Sequence, residues 1–123
     1  KHRGLIMEEI DLQPLRIISG WEVEWNQFYE VDPSEKTMTY FDSSSLLHLN
    51  KKTARRAINL DWRPENDVNG HYYLRVINLT KVVHPKTKEV SFNEDWDNLH
   101  YEFISNNRLE IERILLQTPS FKG

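Results

Sequence analysis

The sequence predicts an α+β domain in which a mainly antiparallel sheet of about four to six strands packs with about two helices. Two observations lead to this prediction. Runs of alternating apolar and polar residues recur along the chain, and turn-forming residues separate them. A segment with helical spacing, 108–117, then follows the last run and stops before Pro119.

The composition narrows the classes of function. The 123 residues are enough for one domain with its own core. The chain has no cysteine, which excludes disulfides, thiol nucleophiles and Cys-based zinc sites, and this fits a reducing cytosol. No apolar run approaches the ~20 residues of a membrane span. The net charge of −3 is spread evenly, which disfavours nucleic-acid binding. We therefore expect a cytoplasmic protein without membrane association.

The predicted domain spans residues 7–118. Residues 1–6 precede the plausible start at Met7 and are interpreted as an expression remnant or an upstream extension. Residues 119–123 are interpreted as a C-terminal tail. No internal repeat or linker divides the sequence between these ends.

The first half of the chain predicts two strands and a helix. Residues 21–25 alternate Trp or Val with Glu, which predicts a strand with one buried face. The alternation fails at residues 26–27, where we expect a bulge or a tight turn. Residues 36–41 are rich in β-formers and predict a second strand. Residues 50–59 carry apolar side chains at i, i+3 and i+4 and predict a helix with a basic outer surface.

The stretch 59–79 carries the clearest pattern. Residues 60–70 are polar and contain Pro64, which predicts a loop, and Asn69-Gly70 is expected to supply a positive φ. Residues 71–83 are apolar on both faces and predict a central strand.

The last third predicts a hairpin, a strand and a helix. Residues 84–88 read as a hairpin loop, and residues 89–92 return beside the central strand. An acidic loop around Trp96 follows, and then a half-buried strand over 99–104. Asn107 is expected to cap the helix over 108–117.

No catalytic or cofactor motif is present. The five histidines contain no i, i+4 pair and predict no metal site. Residues 93–98 resemble the start of an EF-hand loop but lack its glycine, and the glutamate that should end such a loop is also missing. The sequence has neither a Gly-x-Ser-x-Gly motif nor a glycine-rich phosphate loop. We therefore expect no cofactor.

The leading hypothesis is a protein-binding domain. Trp62 and Trp96 lie in predicted loops, and loop aromatics often anchor protein interfaces. Charged residues accompany them in the loops and on the predicted basic helix. The expected partner-binding residues are Trp62, Arg63, Trp96, Asp95, Asp97, Arg55 and Arg56.

The alternative hypothesis is a small-molecule-binding protein or an enzyme whose site is assembled from distant residues. Its candidates lie on the central strands: His71, Tyr73, His100 and Glu102. It requires an enclosed pocket with converging polar groups. A homodimer built through a sheet edge or face is compatible with either hypothesis.

Four local patterns carry a resemblance to known proteins. They are Pro14-Leu-Arg-Ile-Ile-Ser-Gly-Trp21, Asn26-x-Phe-x-Glu-x-Asp-Pro33, Leu60-Asp-Trp-Arg-Pro64 and Gly70-x-Tyr-Tyr-Leu74. Over residues 12–117 the chain resembles a group of small bacterial single-domain proteins of uncharacterised function, and the resemblance implies no catalytic residue. In size, charge and composition it is also similar to the immunity proteins of bacterial toxin systems. That similarity implies toxin neutralisation by protein binding.

Overall fold

A computed structural model describes residues 10–15, 20–43 and 45–117. The predicted N-terminal extension, 1–6, and the predicted tail, 119–123, lie outside the described residues. The elements are β1 (Glu22–Asn26), β2 (Leu47–Lys51), β3 (Arg56–Arg63), β4 (His71–Val83), β5 (Val90–Ser105) and α1 (Arg108–Gln117). Two 3-10 turns lie at Met38–Phe41 and Lys52–Ala54.

The predicted antiparallel sheet is confirmed. Its five strands follow chain order, β1-β2-β3-β4-β5, and every neighbouring pair is antiparallel. The predicted strand over 71–83 coincides with β4, which lies inside the sheet beside the middle strand, β3. A short turn joins β4 to β5, as expected for the hairpin, and the His84 amide donates to the Glu89 carbonyl at 2.8 Å.

The main core lies on one face of the sheet because alternate residues of β2, β3 and β4 point to that face. Four of its aromatic members form a cluster in which the ring centroids in contact lie 5.0 to 6.0 Å apart. These are Phe28, Phe41, Trp62 and Tyr72. Ile111 of α1 packs into the same core, so the helix covers this face of the sheet.

Three predicted elements are wrong, and one of them is the acidic loop around Trp96, which lies within the continuous strand β5. The helix over 50–59 is the end of β2, a 3-10 turn and the start of β3, with Arg55 in the left-handed region (φ 55°) at the reversal. Residues 56–63 alternate between the two faces of the sheet with a period of two. Their pairing with β2 and β4 therefore favours a strand over a helix here. The strand over 36–41 is a 3-10 turn that places Met38 and Phe41 in the core. The described residues therefore contain one α-helix, α1, where about two helices were predicted.

The helix over 108–117 is confirmed as α1, and the Asn107 side-chain oxygen accepts from the amides of Leu109 and Glu110. This is the expected N-cap. None of the helices in the described ranges has the length and apolar character needed to cross a membrane.

The predicted loop over 60–70 begins four residues later, at Pro64, because β3 continues to Arg63. Trp62 is therefore a strand residue with 0% exposure, and its indole N–H donates to the Asp67 carbonyl at 2.8 Å. Asn66 has the positive φ of 59°, and Gly70 does not. Glycine is needed at position 70 because a Cβ there would lie 2.6 Å from the Arg63 carbonyl oxygen.

The hydroxyl group of Tyr72 is buried in the core, and the described residues offer it no hydrogen-bond partner. Burial raises the pKa of Tyr72 above its ordinary value of 10.0, because the phenolate would lose its hydration. Tyr72→Phe is expected to leave stability unchanged or raise it by up to about 1 kcal/mol, since it removes an unsatisfied polar group. Urea unfolding at neutral pH measures this, and a clear loss of stability would contradict it.

Tyr72 also makes the stability of the fold depend on pH in the alkaline range. Above pH ~10 the unfolded chain releases the Tyr72 proton while the folded protein keeps it. The ionisation of Tyr72 therefore leaves the free energy of unfolding unchanged below that pH, and the free energy of unfolding falls as the pH rises further. Unfolding of Tyr72→Phe at alkaline pH is expected to show a smaller loss of stability than the wild type.

Candidate functional site

The face of the sheet opposite the main core is polar at its centre. Residues directly opposite each other on paired strands share a face. One such row crosses all five strands and contains Trp25, His48, Asn59, Arg75 and Glu102. Below we call this side of the sheet the open face.

Asn59 and Asp61 of β3 form the buried centre of the open face, and each is only 4% exposed. The Asn59 amide nitrogen donates to the Asp61 carboxylate at 2.8 Å. This bond fixes the orientation of the amide, because an ionised carboxylate only accepts. The Asn59 side-chain oxygen therefore faces Ser45 and His48, whose Oγ and Nδ1 atoms lie 2.9 Å away.

His48 extends this network to a second carboxylate. Its Nδ1 donates to Asn59, while its Nε2 lies 2.6 Å from the Glu94 carboxylate and 3.7 Å from that of Glu24. The His48–Glu94 contact needs one proton between the two groups, since neither an unprotonated nitrogen nor a carboxylate can donate. The chain of bonds Asp61–Asn59–His48–Glu94 thus connects β3, β2 and β5.

Two arginines balance the buried Asp61 charge. A guanidinium nitrogen of Arg63 lies 3.3 Å from the Asp61 carboxylate, and one of Arg75 lies 3.8 Å from it. Arg75 also pairs with Glu102 at 2.8 Å and stacks over the Tyr73 ring at 5.0 Å. A buried carboxylate is tolerated only with such compensation, so these side chains hold each other in place.

Trp96 reaches the open face through an irregularity in β5. Leu99 pairs with Ile77 and Asp95 pairs with Asn78, so residues 96–98 have no partner on β4. The Asn78 side chain holds this excursion by donating to the Asn98 carbonyl at 2.9 Å. Trp96 then forms one wall of a depression of about 410 Å³. The other lining residues are Ser45, Asn59, Asp61, Arg63 and Arg75.

Two tryptophans stand partly exposed on the open face, Trp25 at 45% and Trp96 at 44%. The indole N–H of Trp25 donates to the Ser45 carbonyl at 2.6 Å, and that of Trp96 donates to Glu94 at 3.1 Å. Both side chains are therefore fixed in the free protein. We call this surface the tryptophan face, and it comprises Trp25, Trp96, Glu24, His48 and Glu94.

The predicted partner-binding residues divide into three groups. Trp96 and Arg63 line the same depression, Asp97 lies in the excursion that carries Trp96, and Asp95 directly precedes that excursion. Arg55 and Arg56 lie at the start of β3, at the opposite end of the strand from Arg63. The prediction that Trp62 is a surface anchor is wrong, because its side chain fills the core.

The residues of the alternative site do not converge as a set. Tyr73 and Glu102 both contact Arg75. His71 begins β4, while His100 lies in β5 between the partners of Val76 and Ile77, at least about five residues or roughly 17 Å along the strand. Within the described ranges, no group of three His, Cys, Asp or Glu residues is arranged to hold a metal ion.

Sequence reasoning missed Trp25, Ser45, His48, Asn59, Asp61 and Glu94. A usable signal was present in β3, where polar residues alternate with Ile58, Leu60 and Trp62. This alternation predicts a strand that buries one apolar face and presents a polar one. The excursion that brings Glu94 and Trp96 over that face has no comparable local signature.

No protein family model, curated protein or solved structure matches this chain. The geometry of the tryptophan face therefore carries the functional inference.

Proposed function

We propose that this chain is a small cytosolic protein-binding domain that uses the tryptophan face, and that it acts as an immunity protein neutralising a bacterial toxin. The observation that carries the proposal is the pair of exposed tryptophans, each fixed by a hydrogen bond on the same open face. Between them lies a network of charged and polar groups whose orientations are also fixed.

Exposed, immobilised tryptophans favour protein binding for two physical reasons. Tryptophan is enriched among the residues that dominate interface energies, because it buries a large area on association. Its immobilisation before binding also lowers the entropy lost when the complex forms. The hydrogen bonds of Trp25 and Trp96 provide this preorganisation.

The charges around the two indoles favour a basic partner surface. Glu22, Glu24 and Asp97 are exposed, with Glu22 and Glu24 on β1 and Asp97 in the excursion of β5. Complementary charges accelerate association and exclude wrong partners. A toxin with a cationic surface beside an apolar patch would satisfy both features of the tryptophan face.

The depression on the open face supports catalysis less well than binding. Small-molecule sites are mostly apolar with a few converging polar groups. Here the floor and walls are mainly polar, and Asp61 already contacts Arg63 and Arg75. The alternative site also loses support, because the strand register separates His71 from His100.

Co-expression tests the proposal. The products of the genes adjacent to this one in its own genome are expected to include a growth-inhibiting protein. Co-expression with this chain should restore growth and yield a stoichiometric complex. Growth inhibition that persists in the presence of the chain, or the absence of any toxic neighbour, would contradict the immunity role.

A further inference from the structure

The β4–β5 hairpin extends well beyond the other three strands of the sheet. Pairing between β3 and β4 ends at Arg56 and Asn78, the Leu79 amide still donates to the Arg55 carbonyl, and the residues of β4 after Leu79 pair with β5 alone. We call residues 80–93 the ribbon. The twelve consecutive residues 80–91 within it are all exposed.

The ribbon is ordered at both ends. At its base, Leu79 and Phe92 pack with Ala57 and Ile77 in a second, smaller apolar cluster. At its tip, the His84 ring nitrogen Nδ1 accepts from two successive amides at 3.2 Å. A two-stranded hairpin is marginally stable by itself, so these contacts preserve the shape of a projecting arm.

The ribbon carries an unusual combination of charge and apolar surface. The ribbon has three lysines, Lys81, Lys86 and Lys88, and one acid, Glu89, in a chain whose net charge is −3. Its exposed apolar side chains are Val83 and Val90, at 50% and 51% exposure, which pair with each other on the side that carries Lys81, and Val82, at 38%, on the other side. A projecting surface that is both basic and apolar indicates a docking element.

The tryptophan face is complementary to the ribbon in both respects. It offers two indole rings to Val83 and Val90, and the exposed carboxylates of Glu22, Glu24 and Asp97, which lie around the indoles, are acidic groups for the lysines. We propose that the ribbon of one copy docks on the tryptophan face of a second copy, so that two reciprocal contacts form a symmetric dimer. This inference rests on the tryptophan face being a docking surface, as in the proposed function, and it makes the second copy a competitor of the protein partner.

A reciprocal arrangement approaches the size of a specific dimer interface. A standard interface uses about 20–30 residues from each partner. Each copy would contribute the twelve exposed residues of its ribbon and, in the other contact, its tryptophan face. Closed two-fold symmetry also prevents the open-ended assembly that a single ribbon-to-face contact would allow.

Light scattering on the full chain gives the first test. The mass is expected to be twice 14.8 kDa at low salt in the micromolar range. It should fall towards the monomer as salt approaches about 1 M, where the screening length is only ~3 Å. A monomer at low salt across the micromolar range would overturn the proposal.

Charge reversal identifies the two surfaces. The ribbon variant K81E/K86E and the face variant E22K/D97K are each expected to be monomeric. An equal mixture of the two should dimerise, because both reciprocal contacts then join opposite charges. The control is K36E, which reverses the charge of an exposed lysine in the turn before Met38. This variant should remain dimeric.

The mixture also controls for folding, because misfolded variants would not recover a dimer on mixing. Dimers that persist in both reversed variants, or a mixture that stays monomeric, would overturn the proposal. The ribbon variant keeps the tryptophan face intact and should still bind the protein partner. Failure of self-association is therefore distinguishable from failure of the proposed function.

Discussion

Asp61→Ala is expected to destabilise the fold by about 2–4 kcal/mol. The substitution leaves the buried Asn59 amide without its acceptor and removes the anion that Arg63 and Arg75 share. Half of the Arg63 side chain is exposed and can be hydrated, which keeps the cost below that of a fully buried pair. The Asn59 amide would also be free to turn, so His48 would lose its fixed orientation.

Urea unfolding of two companion variants separates these effects. Asp61→Asn retains an acceptor for Asn59 but removes the charge, so an intermediate loss is expected. Glu102→Ala removes the more exposed partner of Arg75 and should cost less than about 1 kcal/mol. If Asp61→Ala cost no more than Glu102→Ala, the buried network would not be the support of the open face.

The elements that were predicted correctly are those with strong local patterns. β4 combines a long run of β-branched and aromatic residues with a clear turn at its end, and α1 has both a cap and a helical stripe. Residues 36–41 and 50–59 lack such agreement between the residue preferences, the apolar spacing and the turn or cap signals. Their apolar residues suit more than one period, and strand pairing and core packing decide between them.

The candidate site was only partly predictable. Trp96, Asp95, Asp97 and Arg63 were identified because no strand or helix pattern required them. Trp25 was assigned to the buried side because it alternates with Trp21. A bulge between Val23 and Trp25 shifts the phase by one residue and moves Trp25 to the open face.

Trp25→Ala and Trp96→Ala are each expected to weaken partner binding by at least about 2 kcal/mol, or ~30-fold. Each removes a large contact area that is already immobilised in the free protein. The loss of fold stability should be small by comparison, because both side chains are nearly half exposed. Thermal unfolding of the free variants would check that the loss of binding does not come from unfolding.

The most direct measurement of the central claim is a calorimetric titration of the purified partner with the wild type, Trp25→Ala, Trp96→Ala and a control, Leu109→Ala. Leu109 is 56% exposed on α1, the helix that covers the opposite face of the sheet. The predicted result is a loss of at least about 30-fold in affinity for each tryptophan variant and wild-type affinity for the control. Wild-type affinity in both tryptophan variants would contradict binding through the tryptophan face.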